Sequence, residues 1–576
     1  VRAPVRPGLP GAILAIHAVL ALPTAPGRFG GAWLAVDADL PVLVLALAWL
    51  GFAGMGLAGR IAATGALWLL AVQKLADLGM GHVLGRPFAP AADLPLIGSG
   101  FEVLAGAFGT PAAVAAAAGA VGLAGGLALA LWRACGILAR LRPRQAVAPA
   151  GALAVLAVLA LVLGDHRPSN GAYALGKIAE ARQMRADLGK LRRAGARDPF
   201  QGAPGLLEAI NRDVIVIFVE SYGRTSFDTP FYAARHLETL RQAQARLGAA
   251  GLAMRSGFVA APTQGGQSWL SHATFASGLW IDNQTRYRAI LASGRAGLFH
   301  HARRAGFRTA AVMPAITRPW PEARTLGFDR ILAADDLGYR GKPFNWVTMP
   351  DQFTLAATDR LLRRQPDRPR LFAQVALISS HAPWVPVPRL LDWDRLGDGR
   401  VFDAMAAAGD PPEVVWRDPA RVRRQYRDAL DYSLATVMDY ALRHAADPPL
   451  LIVLGDHQAA PAIALDNRPE TVLHLIGPPS LVDRAAAWGL TCGLIPPGTG
   501  KAPPMDRLRD LILGGFGTGG GPGAAALPGH PADDPAPFAS TNGRAPGSIG
   551  NRPDQARERP APPPTGGGRA CEARRR

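Results

Sequence analysis

Cysteine is nearly missing from this 576-residue sequence: Cys135, Cys492 and Cys571 stand far apart and are odd in number. That excludes a disulfide-stapled scaffold and any zinc ribbon built on paired cysteines. Charge is sparse too, at 18% of residues, and 62 basic against 44 acidic side chains leave a formal net charge of +18. The excess is almost all arginine, set in an Ala-rich background with 66 glycines and 51 prolines. Neither a helix-turn-helix signal nor a basic-aromatic motif accompanies it, so no nucleic-acid partner is expected. What the sequence has in abundance is apolar residues, 49% of the total and crowded into the first 164 positions. This predicts a membrane region joined to a soluble part.

Uncharged apolar runs cover Leu40–Gly59, Val103–Trp132 and Ala146–Gly164. Each is long enough, at about 1.5 Å per residue, to cross a hydrocarbon core of about 30 Å. Leu9–Pro26, interrupted by His17 and Pro23, and Ile61–Met80, with Lys74 and Asp77 on one helical face, bring the expected transmembrane helices to five. Val103–Trp132 also reads as two short crossings or a re-entrant segment, because Pro111 interrupts it. Arg2, Arg6, Arg60, Arg133, Arg140, Arg142 and Arg144 fall on one side, against Arg28 and Arg86 on the other. That bias puts the N-terminus inside, and five crossings then carry the chain after Gly164 to the extracytoplasmic side. More spans follow the first and no small-residue cleavage site precedes them, so a cleaved signal peptide is not expected.

Lys74 and Asp77 at membrane depth read either as a functional ion pair or, for Lys74, as a snorkelling side chain. Ala172–Ala194 reads as a basic helix, either lying along anionic head groups or serving as a solvated linker. The domain plan is a transmembrane domain over 1–165, a basic linker helix over 166–204, a catalytic domain over 205–516 and a Gly/Pro-rich tail over 517–576. The tail ends in Arg574, Arg575 and Arg576 and is expected to be disordered.

From about Gly205 short β-branched runs alternate with helical stretches. Val214–Val219, Thr309–Met313, Leu371–Ile378, Leu450–Leu454 and Val472–Ile476 look like strands buried on both faces. Helical segments such as Ala234–Leu247, Leu298–Ala305, Gln352–Arg364 and Val422–His444 lie between them. The alternation predicts an α/β domain with a mainly parallel sheet, whose chemistry sits at the carboxyl ends of the strands.

Those ends carry a set of residues. Val214–Val219 runs into Glu220, Leu371–Ile378 leads to His381 in SSHAPW, and Leu450–Leu454 leads to Asp456 and His457 in GDH. In PTQGGQSWLSHATFASGL the glycines open a helix at Ser268, whose N-terminus favours an anion. Each piece alone fits a cap, a turn or a satisfied loop histidine. Together they supply carboxylate and imidazole ligands for Zn²⁺, Mn²⁺ or Mg²⁺ and a hydroxyl able to act as nucleophile.

FVES, the GGQS helix start, SHAPW and GDH, behind the apolar runs, resemble the alkaline phosphatase/sulfatase superfamily. Within it the likeness is to membrane-anchored lipoteichoic acid synthases and lipid A phosphoethanolamine transferases, and it runs to about Leu513. The resemblance implies an alkaline-phosphatase-like α/β/α domain and one divalent metal ion held by Glu220, Ser268, Asp456 and His457. It implies Ser268 as nucleophile, where the transferases usually carry threonine, with Thr263, Ser271 and Thr274 as rivals. His381 falls on the substrate-side histidine, and Trp320 with Arg318 or Arg324 on the substrate-side Trp and Arg. SWLSH lacks the proline and arginine of the formylglycine motif, which argues against a formylglycine sulfatase. The implied activity moves a phospho-head group from a membrane phospholipid to a glycan or lipid acceptor. A phospho- or sulfo-ester hydrolase and a silent binding protein of the same fold remain alternatives.

Overall fold

The structure, a computed structural model, describes residues 8–24, 36–84, 86–163, 169–318, 320–365, 367–498 and 502–518. Arg2, Arg6, Arg28, Cys571 and all of the expected tail beyond Thr518 lie outside the described residues.

Among the described residues, the apolar helices of the first part include Leu9–Leu20, Asp39–Phe52, Gly56–Val83, Thr110–Leu138 and Pro143–Val162. The last three are long and apolar enough to cross a membrane, and the first two are shorter. Two of the expected spans are divided. Leu40–Gly59 breaks at Gly54, where φ is +77°, so a helix ends at Phe52 and another starts at Gly56. Val103–Trp132 breaks at Gly109, φ +85°, between helices Ile97–Phe108 and Thr110–Leu138. Pro111 sits in the first turn of the second helix, where its missing N–H is not needed. Ile16, Val44, Leu47, Leu67, Leu131 and Leu138 form a shared core. Val121, Leu123, Val155 and Val162 point outward, the reverse of a water-facing surface.

The second part is built on one eight-stranded sheet: β1 Val214–Val219, β2 Ala253–Ala260, β3 Arg308–Met313, β4 Arg330–Ala333, β5 Leu371–Leu377, β6 Leu450–Gly455, β7 Glu470–Gly477 and β8 Thr491–Cys492. Their order is β4-β3-β5-β1-β6-β7-β2-β8. The first five are parallel, while β7, β2 and β8 are antiparallel to their neighbours. The strand expected over Val472–Ile476 is therefore present but runs against β6. β1 is central, Val214 pairing with Phe372 on one side and Leu450 on the other. Both faces are covered, which is why all six of its residues are buried. Ile215, Ile217 and Val219 face helices Pro230–Ala249 and Pro419–Arg443 through Leu240, Tyr426 and Leu430. Val214, Val216 and Phe218 face the opposite layer through Phe275, Phe299 and Ile512.

The basic helix is a strut. It spans Asn170–Gly195 with Ser169 accepting from the Ala172 N–H at its start. At that end Asn170 donates to Asp37 (2.6 Å) and Tyr173 to Asp77 (2.6 Å) of the membrane part. At the other end Leu188, Leu191 and Ala194 pack on Leu270, Ala273 and Ile290 of the second part. Asp77 also accepts from Gln73 (2.9 Å) and the Phe88 N–H (2.8 Å) and pairs with Lys177 (3.4 Å). Lys74 donates to the Leu20 carbonyl at 2.8 Å. The two charges thus join helices to each other and to the strut.

Candidate active site

Three loops meet at the carboxyl ends of β1 and β6. β1 delivers Glu220, and Ser221 behind it takes φ +57°, a conformation a non-glycine residue adopts only when its surroundings enforce it. Part of the enforcement is the Ser221 N–H, which donates to Asp456 Oδ1 at 2.8 Å. β6 delivers Asp456 and His457 after Gly455. A Cβ on Gly455 would lie 1.9 Å from the Tyr222 carbonyl oxygen, so only glycine lets the two loops approach this closely. The third loop is the Gly-rich turn, tied to the second by a Gly265 N–H bond to the Gln458 carbonyl (2.8 Å). Helix Ser268–Ser277 starts directly after it.

The side chains converge. Ser268 Oγ lies 3.2 Å from Glu220 Oε2 and 3.3 Å from His457 Nε2. His457 Nε2 lies 3.2 Å from Glu220 Oε1, and the ligand atoms of Glu220, Asp456 and His457 all fall within 4.8 Å of one another. Asp456 Oδ1 takes the N–H groups of Ser221 and His457 (2.8 and 2.7 Å), leaving Oδ2 for the cluster. His457 Nδ1 lies 3.0 Å from the Gln458 carbonyl, which can only accept. That makes Nδ1 the donor to the carbonyl and turns Nε2 toward the carboxylates, where it can hold a proton or a cation.

Glu220, Asp456 and His457 are all buried. Burial pushes the Asp456 carboxyl well above the ordinary range, and the neighbouring Glu220 carboxylate adds to the rise. Burial works the same way on Glu220, but the His457 imidazole and then His381 outweigh it and hold Glu220 below the ordinary range. His457 is pushed up to about 9, because Asp456 and Glu220 overcome the opposing effect of burial. Two acids and an imidazole held this close, out of water, are a donor set for a divalent cation of the Zn²⁺, Mn²⁺ or Mg²⁺ kind. The raised values of Asp456 and His457 mean that protons compete with a cation for these two side chains.

His381 follows β5. Its Nδ1 bonds the Ala382 carbonyl (2.6 Å) and its ring stacks on Trp346 at 3.8 Å, so Nε2 is the free edge. The loop is fixed from below by buried Asp351, which accepts from the N–H groups of Ile378 and Ser379 (2.7 and 2.8 Å). Ser380 Oγ then donates to the Glu220 carbonyl at 2.7 Å, coupling the His381 loop to the ligand loop.

Among the hydroxyl candidates, Ser268 is the one bonded to Glu220 and His457. Thr274 Oγ1 accepts from the Ile281 N–H (3.0 Å) and holds a turn, while Thr263 and Ser271 are buried to either side. Trp320 is half-buried against the second core layer, and Arg318 and Arg324 are exposed near it, in the loop after β3. Tyr287 touches Trp320. The helix carrying it, Gln284–Leu291, is tied to the Ser268 helix by a Trp269 Nε1 bond to Gln284 Oε1 at 3.0 Å. Gln267, Trp346 and Ser221 belong to the site and were not singled out from the sequence. The run GGQS held the signal for Gln267 only through its position.

No protein-family model and no curated protein matches the chain. Solved structures do. The lipoteichoic acid synthase LtaP from Listeria monocytogenes is 13% identical with a TM-score of 0.34, covering 55% of this chain and 75% of that one. The phosphoglycerol transferase GacH from Streptococcus pyogenes, in complex with sn-glycerol-1-phosphate, is 13% identical with a TM-score of 0.32, covering 50% and 74%. A phosphonate monoester hydrolase from Agrobacterium radiobacter is 14% identical with a TM-score of 0.30, covering 52% and 77%. The superfamily that the sequence motifs resemble is the one a further match, from Vibrio parahaemolyticus, is named for: alkaline phosphatase, at 17% identity and a TM-score of 0.31, covering 51% and 69%. At this distance the likeness concerns the fold.

Proposed function

We propose that this protein is a membrane-embedded phosphotransferase that moves a phospho-head group from a phospholipid to a glycan or lipid acceptor through a covalent bond to Ser268. The reading rests on one observation above all: the Ser268 hydroxyl opens a helix and lies 3.2 and 3.3 Å from two members of a buried Glu-Asp-His cluster. A divalent ion held by Glu220, Asp456, His457 and the Ser268 oxygen would supply Lewis acidity, lowering the hydroxyl pKa and offsetting phosphoryl charge.

Ser268 Oγ gives up its proton along the bond to Glu220 Oε2 and forms the new bond to phosphorus. The helix N-terminus behind it faces the phosphoryl oxygens with free N–H groups. The bond to the diacylglycerol oxygen breaks in line, and His381 Nε2 is the edge placed to hand that oxygen a proton. In the second half His381 takes a proton from the acceptor hydroxyl, which attacks phosphorus and breaks the bond to Ser268 Oγ, and Ser268 Oγ takes its proton back from Glu220. Trp320, Arg318 and Arg324 are proposed to hold the substrate. The apolar helices are proposed as a multi-pass inner-membrane bundle, with the site on the extracytoplasmic face near its lipid donor.

The test is intact mass of the full chain after incubation with Mn²⁺ and phospholipid vesicles. The wild type is expected to gain a phosphoglycerol or phosphoethanolamine increment. Ser268→Ala is expected to gain none and to lose at least about 1000-fold in turnover. Equal turnover by both would remove Ser268 from the mechanism, and free head-group phosphate without a modified acceptor would make the enzyme a hydrolase.

A further inference from the structure

The residue in front of Ser268 is held by the membrane part of the chain. Helix Gly56–Val83 ends against the nucleophile turn, where a Cβ on Gly265 would lie 2.3 Å from the Val83 carbonyl oxygen. Just beyond, Arg86 donates to both oxygens of Asp93 (2.8 and 2.7 Å) and, through Nη2, to Gln267 Oε1 at 3.2 Å. Asp93 is buried and also accepts from the Ala89 N–H (2.8 Å), while Asp77 holds the Phe88 N–H. Arg86 is therefore fixed on both sides.

A guanidinium has donors only, so this bond decides which end of the Gln267 amide is the oxygen and turns Nε2 the other way. Nε2 is buried without a partner, on a side chain that is 9% exposed. Thr263 Oγ1, Ser271 Oγ and His272 Nε2 are buried and unpartnered as well. Four such atoms fall within residues 263–272, on the turn and helix that carry Ser268. Folded interiors leave few polar atoms unpaired, and a cluster of them asks for a polar ligand.

We propose that Gln267 Nε2 binds a non-bridging oxygen of the phosphoryl group that Ser268 attacks, and that Arg86, from the membrane part, is the positioning residue that aims it. This rests on the phosphoryl-transfer reading. A phosphoryl group in transit spreads charge over three equatorial oxygens, more than one cation and one helix end need to satisfy alone. Gln267 supplies a further donor on the membrane side of the site. The chemistry is then complete only while the loop after Val83 is docked.

The experiment uses the full chain in phosphatidylcholine nanodiscs with Mn²⁺. Calorimetry gives the affinity for inorganic phosphate, and bis(p-nitrophenyl) phosphate reports turnover. Gln267→Ala and Arg86→Ala are each expected to weaken phosphate binding, Gln267→Ala by at least about tenfold. The double variant is expected to be no weaker than Gln267→Ala, because Arg86 acts through Gln267. Mn²⁺ affinity is expected to stay at the wild-type value. Should Gln267→Ala lose Mn²⁺, Gln267→Glu keeps the shape, lacks the donor and replaces it in the comparison. Unchanged phosphate affinity in the Gln267 variant, or additive losses in the double variant, would overturn the inference and leave phosphoryl transfer standing. A wild type that neither binds phosphate nor turns over the diester would overturn both.

Discussion

Asp456 shows how much one residue depends on its neighbours. Two backbone N–H groups satisfy Oδ1, yet burial and the adjacent Glu220 carboxylate still raise its pKa. His457 is raised to about 9 by Asp456 and Glu220. Both shifts mean that protons on Asp456 and His457 must be displaced when a cation binds. Raised pKa values favour the protonated forms, so metal affinity is expected to increase as pH rises from neutrality to about 9, and to level off above that. Protons should be released on binding in the lower part of the window. Mn²⁺ calorimetry in two buffers of different protonation enthalpy, across about pH 6 to about pH 9, measures both quantities. An affinity that is flat or falls with pH would show that these groups are not the ligands.

Two connecting elements, the loop after Val83 and the strut Asn170–Gly195, join the apolar helices to the Ser268 helix, and both are anchored on Asp77. Removing that buried carboxylate leaves Tyr173 and the Phe88 N–H without this acceptor, while Lys177 keeps Glu180 and the Phe88 carbonyl. Asp77→Ala is expected to destabilise this helical part by about 1–3 kcal/mol, as leaving buried donors unpaired does. Thermal unfolding in detergent measures it, and a midpoint equal to wild type would mean the anchor lies elsewhere. The same elements show what the sequence reveals. β1, β3, β5 and β6 were legible because strands buried on both faces are near-continuous hydrophobic runs. β2, AMRSGFVA, mixes Arg, Ser and Gly into its run, and β4 and β8 are short edge strands whose form comes from pairing rather than propensity. The direction of β7 was hidden because the segment from β6 to β7 holds the metal-ligand loop and a four-residue helix instead of a crossover helix. Glu220, Ser268, Asp456 and His457 were legible through strand ends and a Gly-rich turn. The partnership of Gln267 with Arg86 spans 181 positions and leaves no local trace.

For the whole molecule, the charges of the membrane part are sorted by end. Arg60 donates to the Trp132 carbonyl at 2.7 Å and lies over the Trp132 ring, while Trp68 bonds the Ala124 carbonyl, so helices Gly56–Val83 and Thr110–Leu138 run antiparallel. Val83 and the loop beyond it meet the Ser268 turn. The ends carrying Arg60, Arg133, Arg140, Arg142 and Arg144 are consequently remote from the active site. On the proposed topology the arginine-rich ends stay in the cytoplasm, and Ser268 is then expected across the membrane from them. Single cysteines can be set in a chain whose native Cys135, Cys492 and Cys571 are replaced by alanine. Arg417→Cys, at an exposed position of the catalytic domain, is expected to react with a membrane-impermeant maleimide on intact cells. Arg142→Cys, exposed at the opposite end, is expected to react only after permeabilisation. The reverse pattern would turn the active site to the cytoplasm, where an acceptor in the outer envelope is out of reach, and the transfer reading would need an acceptor on the inner side.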